Sequence, residues 1–168
     1  MQKKIKSKEL YFKLSCHFNS TLDVNGIDNI LQDWERESGW IPDIILIDYA
    51  DILKMVYPNR EGRDCINETW KRLRGLSQKR HCLLMSATQS DADSYDRGTL
   101  KMKNFSDDRR KIDSVTGMIG INQTESEKKR GIMRLNWISL RDGEFHPSHC
   151  VHVAGCLALS NPAIKSCF

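Results

Sequence analysis

The segment that decides the fold is PDIILIDYADIL, residues 42–53. Its proline favours extended backbone at the start of the segment. The four apolar residues 44–47 then continue without a polar interruption to Asp48. A strand that is covered on both faces has this continuous pattern, whereas a half-exposed strand alternates apolar and polar residues. The segment therefore predicts a buried strand of a parallel sheet, ending at a carboxylate.

A second apolar run, CLLMSA at residues 82–87, ends in Thr88 and Gln89. Between the two runs, apolar residues recur at helical spacing over residues 64–79, and a further amphipathic helix is predicted over residues 25–38. A strand, a helix and a second strand within about 45 residues form a right-handed crossover. The two strands are therefore expected to be parallel neighbours in one sheet.

The rest of the chain has a different pattern. Residues 90–111 contain five aspartates and six Lys or Arg, which predicts a charged, mobile loop over residues 90–112. Three more strands are predicted at residues 115–121, 132–140 and 151–159, joined by polar turns. The fold expected from this order is α/β with three layers: a mainly parallel sheet, helices on both faces and antiparallel strands near the C-terminus.

Composition limits the class of protein. The chain has 168 residues, 39% of them hydrophobic, which suits one globular domain over residues 1–168. It has 26 basic and 22 acidic residues, so its net charge permits a nucleic-acid partner without arguing for one. No apolar run of about 18 residues occurs, and six cysteines without paired spacing suggest free thiols. A soluble intracellular protein, in the cytoplasm, is expected.

The ends of the two buried strands carry the candidate chemistry. Ligands of open parallel sheets bind at the carboxyl ends of the strands, where the sequence places Asp48 and Gln89. A carboxylate there suits hydrated Mg²⁺, which keeps several waters and needs few protein oxygens. An amide beside it could contact a phosphate oxygen. The alternative for each residue is an ordinary strand-end turn or helix cap.

Four segments in order resemble one family. They are PDIILIDYADIL (42–53), LLMSATQS (83–90), DSVTGMIGINQ (113–123) and IMRLNWISLRDG (132–143). These segments resemble the Walker B strand, the sensor strand, the strand that follows it and the late strand with its turn in DnaB-like replicative helicases. The resemblance spans residues 20–145. It implies a RecA-like (P-loop NTPase) ATPase fold, ATP and Mg²⁺ as ligands, and movement of a hexamer on single-stranded DNA.

The resemblance also implies roles for particular residues. Asp48 would hold Mg²⁺ through water, and Gln89 would link the state of the γ-phosphate to the DNA-binding loop. Arg141 would be the arginine finger that reaches a neighbouring subunit's nucleotide; its alternative is a solvated arginine in a turn. Where the family tends to have a lysine two residues before that arginine, this chain has Ser139.

The charged loop falls where RecA-like motors contact DNA, so its basic residues are candidates for neutralising backbone phosphates. Asp107 and Asp108 dilute this positive charge, and a plain solvated loop is the alternative. The candidates are Lys101, Lys103, Arg109, Arg110 and Lys111.

One part of the family pattern is missing. The sequence has no Gly-x-x-x-x-Gly-Lys-Ser/Thr string, the P-loop that holds the β- and γ-phosphates. The early strand that bears the family's catalytic glutamate is not matched either. The chain alone is therefore expected to bind nucleotide weakly, and its sheet is expected to leave a gap or exposed edges unless a P-loop-bearing partner segment fills the place.

Three other functions remain open. A non-catalytic module could keep this fold for subunit contacts or single-stranded DNA attachment. A nuclease could use Asp48 and Asp51 as metal ligands. A zinc site could form at residues 146–168, the predicted C-terminal strand and tail, which contain His146, His149, Cys150, His152 and Cys156.

Overall fold

The computed structural model describes residues 11–55, 62–89, 99–101, 109–146, 148–155 and 163–167. Within these ranges helices and strands alternate and then give way to consecutive strands. The elements are α1 (Val24–Ser38), β1 (Ile44–Ile47), a 3₁₀ turn (Ala50–Ile52), α2 (Gly62–Arg80), β2 (Leu83–Ser86), α3 (Arg109–Ser114), β3 (Gly117–Asn122), α4 (Glu125–Lys129), β4 (Ile132–Leu140), β5 (Cys150–Ala154) and β6 (Ala163–Cys167).

Helix α1 has a defined residue at each end. The Asp23 carboxylate accepts a hydrogen bond from the Gly26 N–H at 2.7 Å, which satisfies a backbone donor that no preceding turn can reach. At the other end Gly39 takes a left-handed conformation with φ of 65°, as glycine does after many helices. The predicted helix over residues 25–38 is thus confirmed.

Strands β1 and β2 form a two-stranded parallel sheet, and α2 is the crossover between them. The register pairs Ile44 with Leu83 and Ile47 with Ser86. One face packs on α1 and α2, with Ile45 and Leu73 in the shared core. The predicted parallel pairing is confirmed.

Burial of this sheet on both faces was predicted, and it is wrong for the described residues. The side chains that point away from α1 and α2 are exposed: Ile44 by 57%, Leu46 by 74%, Leu83 by 53% and Met85 by 48%. The continuous apolar runs arise because one set of side chains enters the core and the other set forms an uncovered apolar face.

The remaining strands form a separate antiparallel sheet in the order β3-β4-β5-β6. The antiparallel C-terminal strands were predicted, but the single, mainly parallel sheet was not found. The described strands make one parallel pair and three antiparallel pairs. The connections between consecutive strands of the second sheet are too short for the crossover that a parallel pair requires.

Two helices replace predicted irregular segments. Helix α4 lies in the predicted turn at residues 123–130, where Thr124 and Glu127 form a capping box. Helix α3 occupies the end of the predicted loop. Residues 90–98 and 102–108 of that loop lie outside the described residues, as does the end of the strand predicted over 151–159. None of the described helices is long and apolar enough to cross a bilayer.

Candidate functional site

The first feature of the site is the shared carboxyl edge of β1 and β2. Because the two strands are parallel and in register, their carboxyl ends lie at the same edge of the sheet. Asp48 directly follows β1, and Gln89 comes three residues after Ser86, the last residue of β2. Both side chains are exposed. The edge therefore presents a carboxylate and an amide to solvent, as an ion or ligand would require.

Ser86 fixes the turn that follows Asp48. Its hydroxyl donates to the Ile47 carbonyl at 3.0 Å and accepts from the Ala50 N–H at 2.8 Å. These two bonds join the end of β2 to the backbone on either side of Asp48. The sequence analysis did not single out Ser86, although its place at the end of an apolar run was a usable signal.

A polar cluster lies beside this edge and is centred on Asp51. One carboxylate oxygen accepts from the Trp70 indole at 3.0 Å. The other accepts from the Thr88 hydroxyl at 2.7 Å and from the Lys111 ammonium at 3.1 Å. Lys111 also donates to the Thr88 hydroxyl at 3.1 Å. The cluster joins the turn after β1, helix α2, the segment after β2 and helix α3.

This cluster bears on two sequence-based hypotheses. The side chains of Lys111 and Asp51 are only 10% and 17% exposed, so the Lys111 charge is directed at Asp51 rather than at an external phosphate. Both Asp51 oxygens already accept hydrogen bonds. That arrangement does not fit the nuclease hypothesis, which needs Asp51 as a free metal ligand beside Asp48.

Arg141 follows β4 and is exposed. Its backbone N–H donates to the Thr116 carbonyl and its Nη2 donates to the Asp113 carbonyl, both at 2.8 Å. These bonds hold the arginine against the end of α3 and the start of β3. Its described hydrogen bonds are thus to the backbone of these two segments.

The predicted DNA-contacting residues are described only in part. Lys101 is exposed. Lys103 lies outside the described residues, and so do the side chains of Arg109 and Arg110, whose backbones begin α3. Within the described part of the loop, Lys101 is therefore the basic residue that faces solvent.

An ion pair on the antiparallel sheet holds the segment that precedes Lys101. Arg134 on β4 binds Glu127 at 2.5 Å and donates to the Thr99 hydroxyl at 3.3 Å. The hydrogen bond from Arg134, aided by bonds from Thr124, lowers the pKa of Glu127 to about 2. Glu127 is therefore ionised at neutral pH and fixes the arginine that contacts Thr99.

The histidine and cysteine cluster was also considered as a metal centre. In the ranges the structure covers, no three His, Cys, Asp or Glu side chains come together as metal ligands. The rings of His146 and His149 stack with centroids 5.1 Å apart. Cys156 lies outside those ranges.

Comparison with known proteins places the fold. No protein-family model and no curated protein matches the sequence. Among solved structures, the chain is similar to the ATPase domain of a DnaB-like helicase, with a TM-score of 0.74 and 15% identity over 86% of this chain and 52% of that one. It is also similar to "The Structure Of A DnaB-Like Replicative Helicase And Its Interactions With Primase", with a TM-score of 0.68 and 16% identity over 79% of this chain and 33% of that one.

These matches establish a mixed α/β fold that is structurally similar to the RecA-like ATPase domains of DnaB-like helicases. The identities are too low to carry function by themselves. The chain spans about half of the first structure it matches and a third of the second.

Proposed function

We propose that this chain forms the later part of an ATP-dependent DNA helicase or DNA-translocating ATPase that acts in replication or recombination. The observation that carries the proposal is the parallel, in-register pairing of β1 with β2, which sets Asp48 and Gln89 at one sheet edge. Ligands bind at this edge in open α/β sheets. The fold's similarity to an ATPase domain, with a TM-score of 0.74, supports the same interpretation.

In the proposed site Asp48 holds Mg²⁺ through water, and Gln89 responds to the nucleotide's terminal phosphate. An exposed carboxylate suits Mg²⁺, which keeps several of its waters when it binds protein. Thr88, next to Gln89, is bound to Asp51 and Lys111. This contact limits how far the backbone before Gln89 can move, so the amide is held near the edge.

The residues at this edge fit a magnesium nucleotide in part. The carboxylate and the amide are present, but the sequence contains no P-loop string to hold the β- and γ-phosphates. ATP hydrolysis therefore requires a P-loop-bearing segment as a partner. We propose that this segment and Arg141 meet in a homo-oligomer, a hexamer in the helicase family, with Arg141 contacting a neighbouring subunit's nucleotide.

Single-stranded DNA is the proposed polymer ligand. Lys101 is exposed on a segment that is held to the antiparallel sheet through Thr99. Ammonium groups on such segments neutralise phosphates and release counterions. Lys103, Arg109 and Arg110 are proposed to contribute in the same way.

The DNA contact is tested by fluorescence anisotropy with labelled oligo(dT). Lys101→Gln is expected to weaken binding about threefold to tenfold, because one phosphate contact is lost, and to lower the salt slope by about 0.7. The matched control is Lys129→Gln on the exposed face of α4, which is expected to leave both quantities unchanged. Equal affinity and slope for Lys101→Gln and the unaltered chain would contradict a phosphate contact at Lys101.

The second candidate is a non-catalytic module of the same fold that binds subunits or single-stranded DNA. The absence of a P-loop string from the sequence favours it. The two candidates differ in one measurable respect: the module binds without supporting ATP turnover, whereas the ATPase segment contributes groups to hydrolysis.

A further inference from the structure

The middle of the charged segment is held to the antiparallel sheet by two buried asparagines. The Leu100 N–H donates to Asn122 Oδ1 at 2.6 Å, and the Leu100 carbonyl accepts from Asn136 Nδ2 at 3.1 Å. Asn122 and Asn136 are only 5% and 3% exposed. Two side chains thus bind both backbone polar groups of one residue, as a neighbouring strand would.

The hydrogen bonds fix the orientation of both amides. Asn122 Nδ2 donates to Asn136 Oδ1 at 2.7 Å, and it also donates to the Arg134 carbonyl at 3.2 Å. Rotating either amide by half a turn would set donor against donor or acceptor against acceptor. The asparagine pair is therefore a rigid receptor for the Leu100 backbone and not a loosely held surface contact.

Gly120 makes room for this arrangement. It lies on β3 directly opposite Asn136. A Cβ added there would lie 2.9 Å from Asn136 Oδ1, 3.0 Å from Ile138 Cδ1 and 3.2 Å from Leu100 Cβ. The Leu100 side chain itself packs on Ile112 and Ile138. We call Gly120, Asn122 and Asn136 together the Leu100 seat.

We propose that the Leu100 seat positions Lys101 for contact with a phosphate of single-stranded DNA. This inference rests on the proposed DNA-binding function. Lys101 directly follows the residue that the seat holds, and its side chain is exposed. A segment ordered before DNA arrives loses less conformational freedom on binding than a free one, so the seat raises affinity without touching DNA. Asn122 and Asn136 are positioning residues in this account.

The test compares oligo(dT) affinity in two backgrounds. Asn136→Leu removes the bond to the Leu100 carbonyl, while Asn122 Nδ2 keeps its bonds to the Gly120 and Arg134 carbonyls. Gly120→Ala displaces Leu100 by crowding and leaves both asparagines in place. Each variant is expected to weaken binding about fivefold in the otherwise unaltered chain. In a Lys101→Gln background neither should weaken binding further, because the seat acts through Lys101.

The control for a general loss of stability is Val153→Ala. Val153 is buried on β5 at 6% exposure, so its truncation weakens the same sheet and should leave oligo(dT) affinity unchanged once folding is verified by circular dichroism. If Asn136→Leu prevents folding, Gly120→Ala carries the comparison.

Three outcomes overturn the proposal. Fivefold weakening in both backgrounds means that the seat acts independently of Lys101. No weakening by either seat variant, while Lys101→Gln still weakens binding, removes the seat's role and leaves the DNA-binding proposal intact. Absence of any Lys101 effect removes both proposals.

Discussion

Replacing Arg141 by alanine is expected to lower ATP turnover by about 10²–10³-fold in the assembled ATPase, the chain together with a P-loop-bearing segment. Removing one preorganised donor to developing transition-state charge typically has an effect of this size, and arginine fingers reach or exceed it. The guanidinium is exposed and held in place by the Asp113 carbonyl at 2.8 Å. It is thus available to a neighbouring subunit in a defined position.

The measurement for Arg141 is steady-state phosphate release with excess single-stranded DNA. Arg130→Ala is the matched control, because Arg130 is also exposed and closes α4 on the same sheet. It is expected to retain full turnover. Because Arg141 is exposed, its truncation should change the free energy of unfolding by no more than about 0.5 kcal/mol. Equal turnover for Arg141→Ala and Arg130→Ala would remove the finger role.

Replacing Lys111 by methionine is expected to reduce the free energy of unfolding by about 3 kcal/mol. The substitution leaves Asp51 ionised at 17% side-chain exposure without its cationic partner. Trp70 and Thr88 still donate to this carboxylate, and these two bonds keep the loss at the lower end of what breaking a buried ion pair produces.

Urea unfolding followed by circular dichroism measures the Lys111 effect. Lys129→Met makes the same change at an exposed site on α4, and it should alter stability by less than about 0.5 kcal/mol. In an Asp51→Asn background, Lys111→Met should destabilise the protein less, because no carboxylate charge remains to be left unpaired. An equal loss in both backgrounds would show that Lys111 stabilises by packing and not through Asp51.

The sequence was sufficient to predict the features that depend on local pattern. Two apolar runs joined by a helical stretch predicted β1, α2 and β2 and their parallel pairing, because a crossover of this length has few alternatives. From that pairing, the placement of Asp48 and Gln89 at one edge follows directly. The capping box that begins α4 was also readable from Thr124 and Glu127, although a turn was predicted there.

Other features depend on contacts between distant residues, for which no spacing rule exists. Lys111 meets Asp51 across 60 positions, and Asn136 meets Leu100 across 36. Composition suggested that Lys111 was one more basic loop residue, and no pattern distinguished it from Lys101. Burial on both faces of β1 was wrongly predicted because an apolar run records what a strand can be covered by, and the described residues cover one face only.

The central claim, that the carboxyl edge of β1 and β2 is one side of an ATP site, is tested most directly through Asp48. ATP turnover is measured for the chain with a P-loop-bearing segment and single-stranded DNA, comparing Asp48→Asn with Asp43→Asn. Asp43 is also exposed but precedes β1 at the opposite edge of the sheet. We predict that turnover is lost with Asp48→Asn and kept with Asp43→Asn. Unchanged turnover with Asp48→Asn would contradict the account and favour the non-catalytic module.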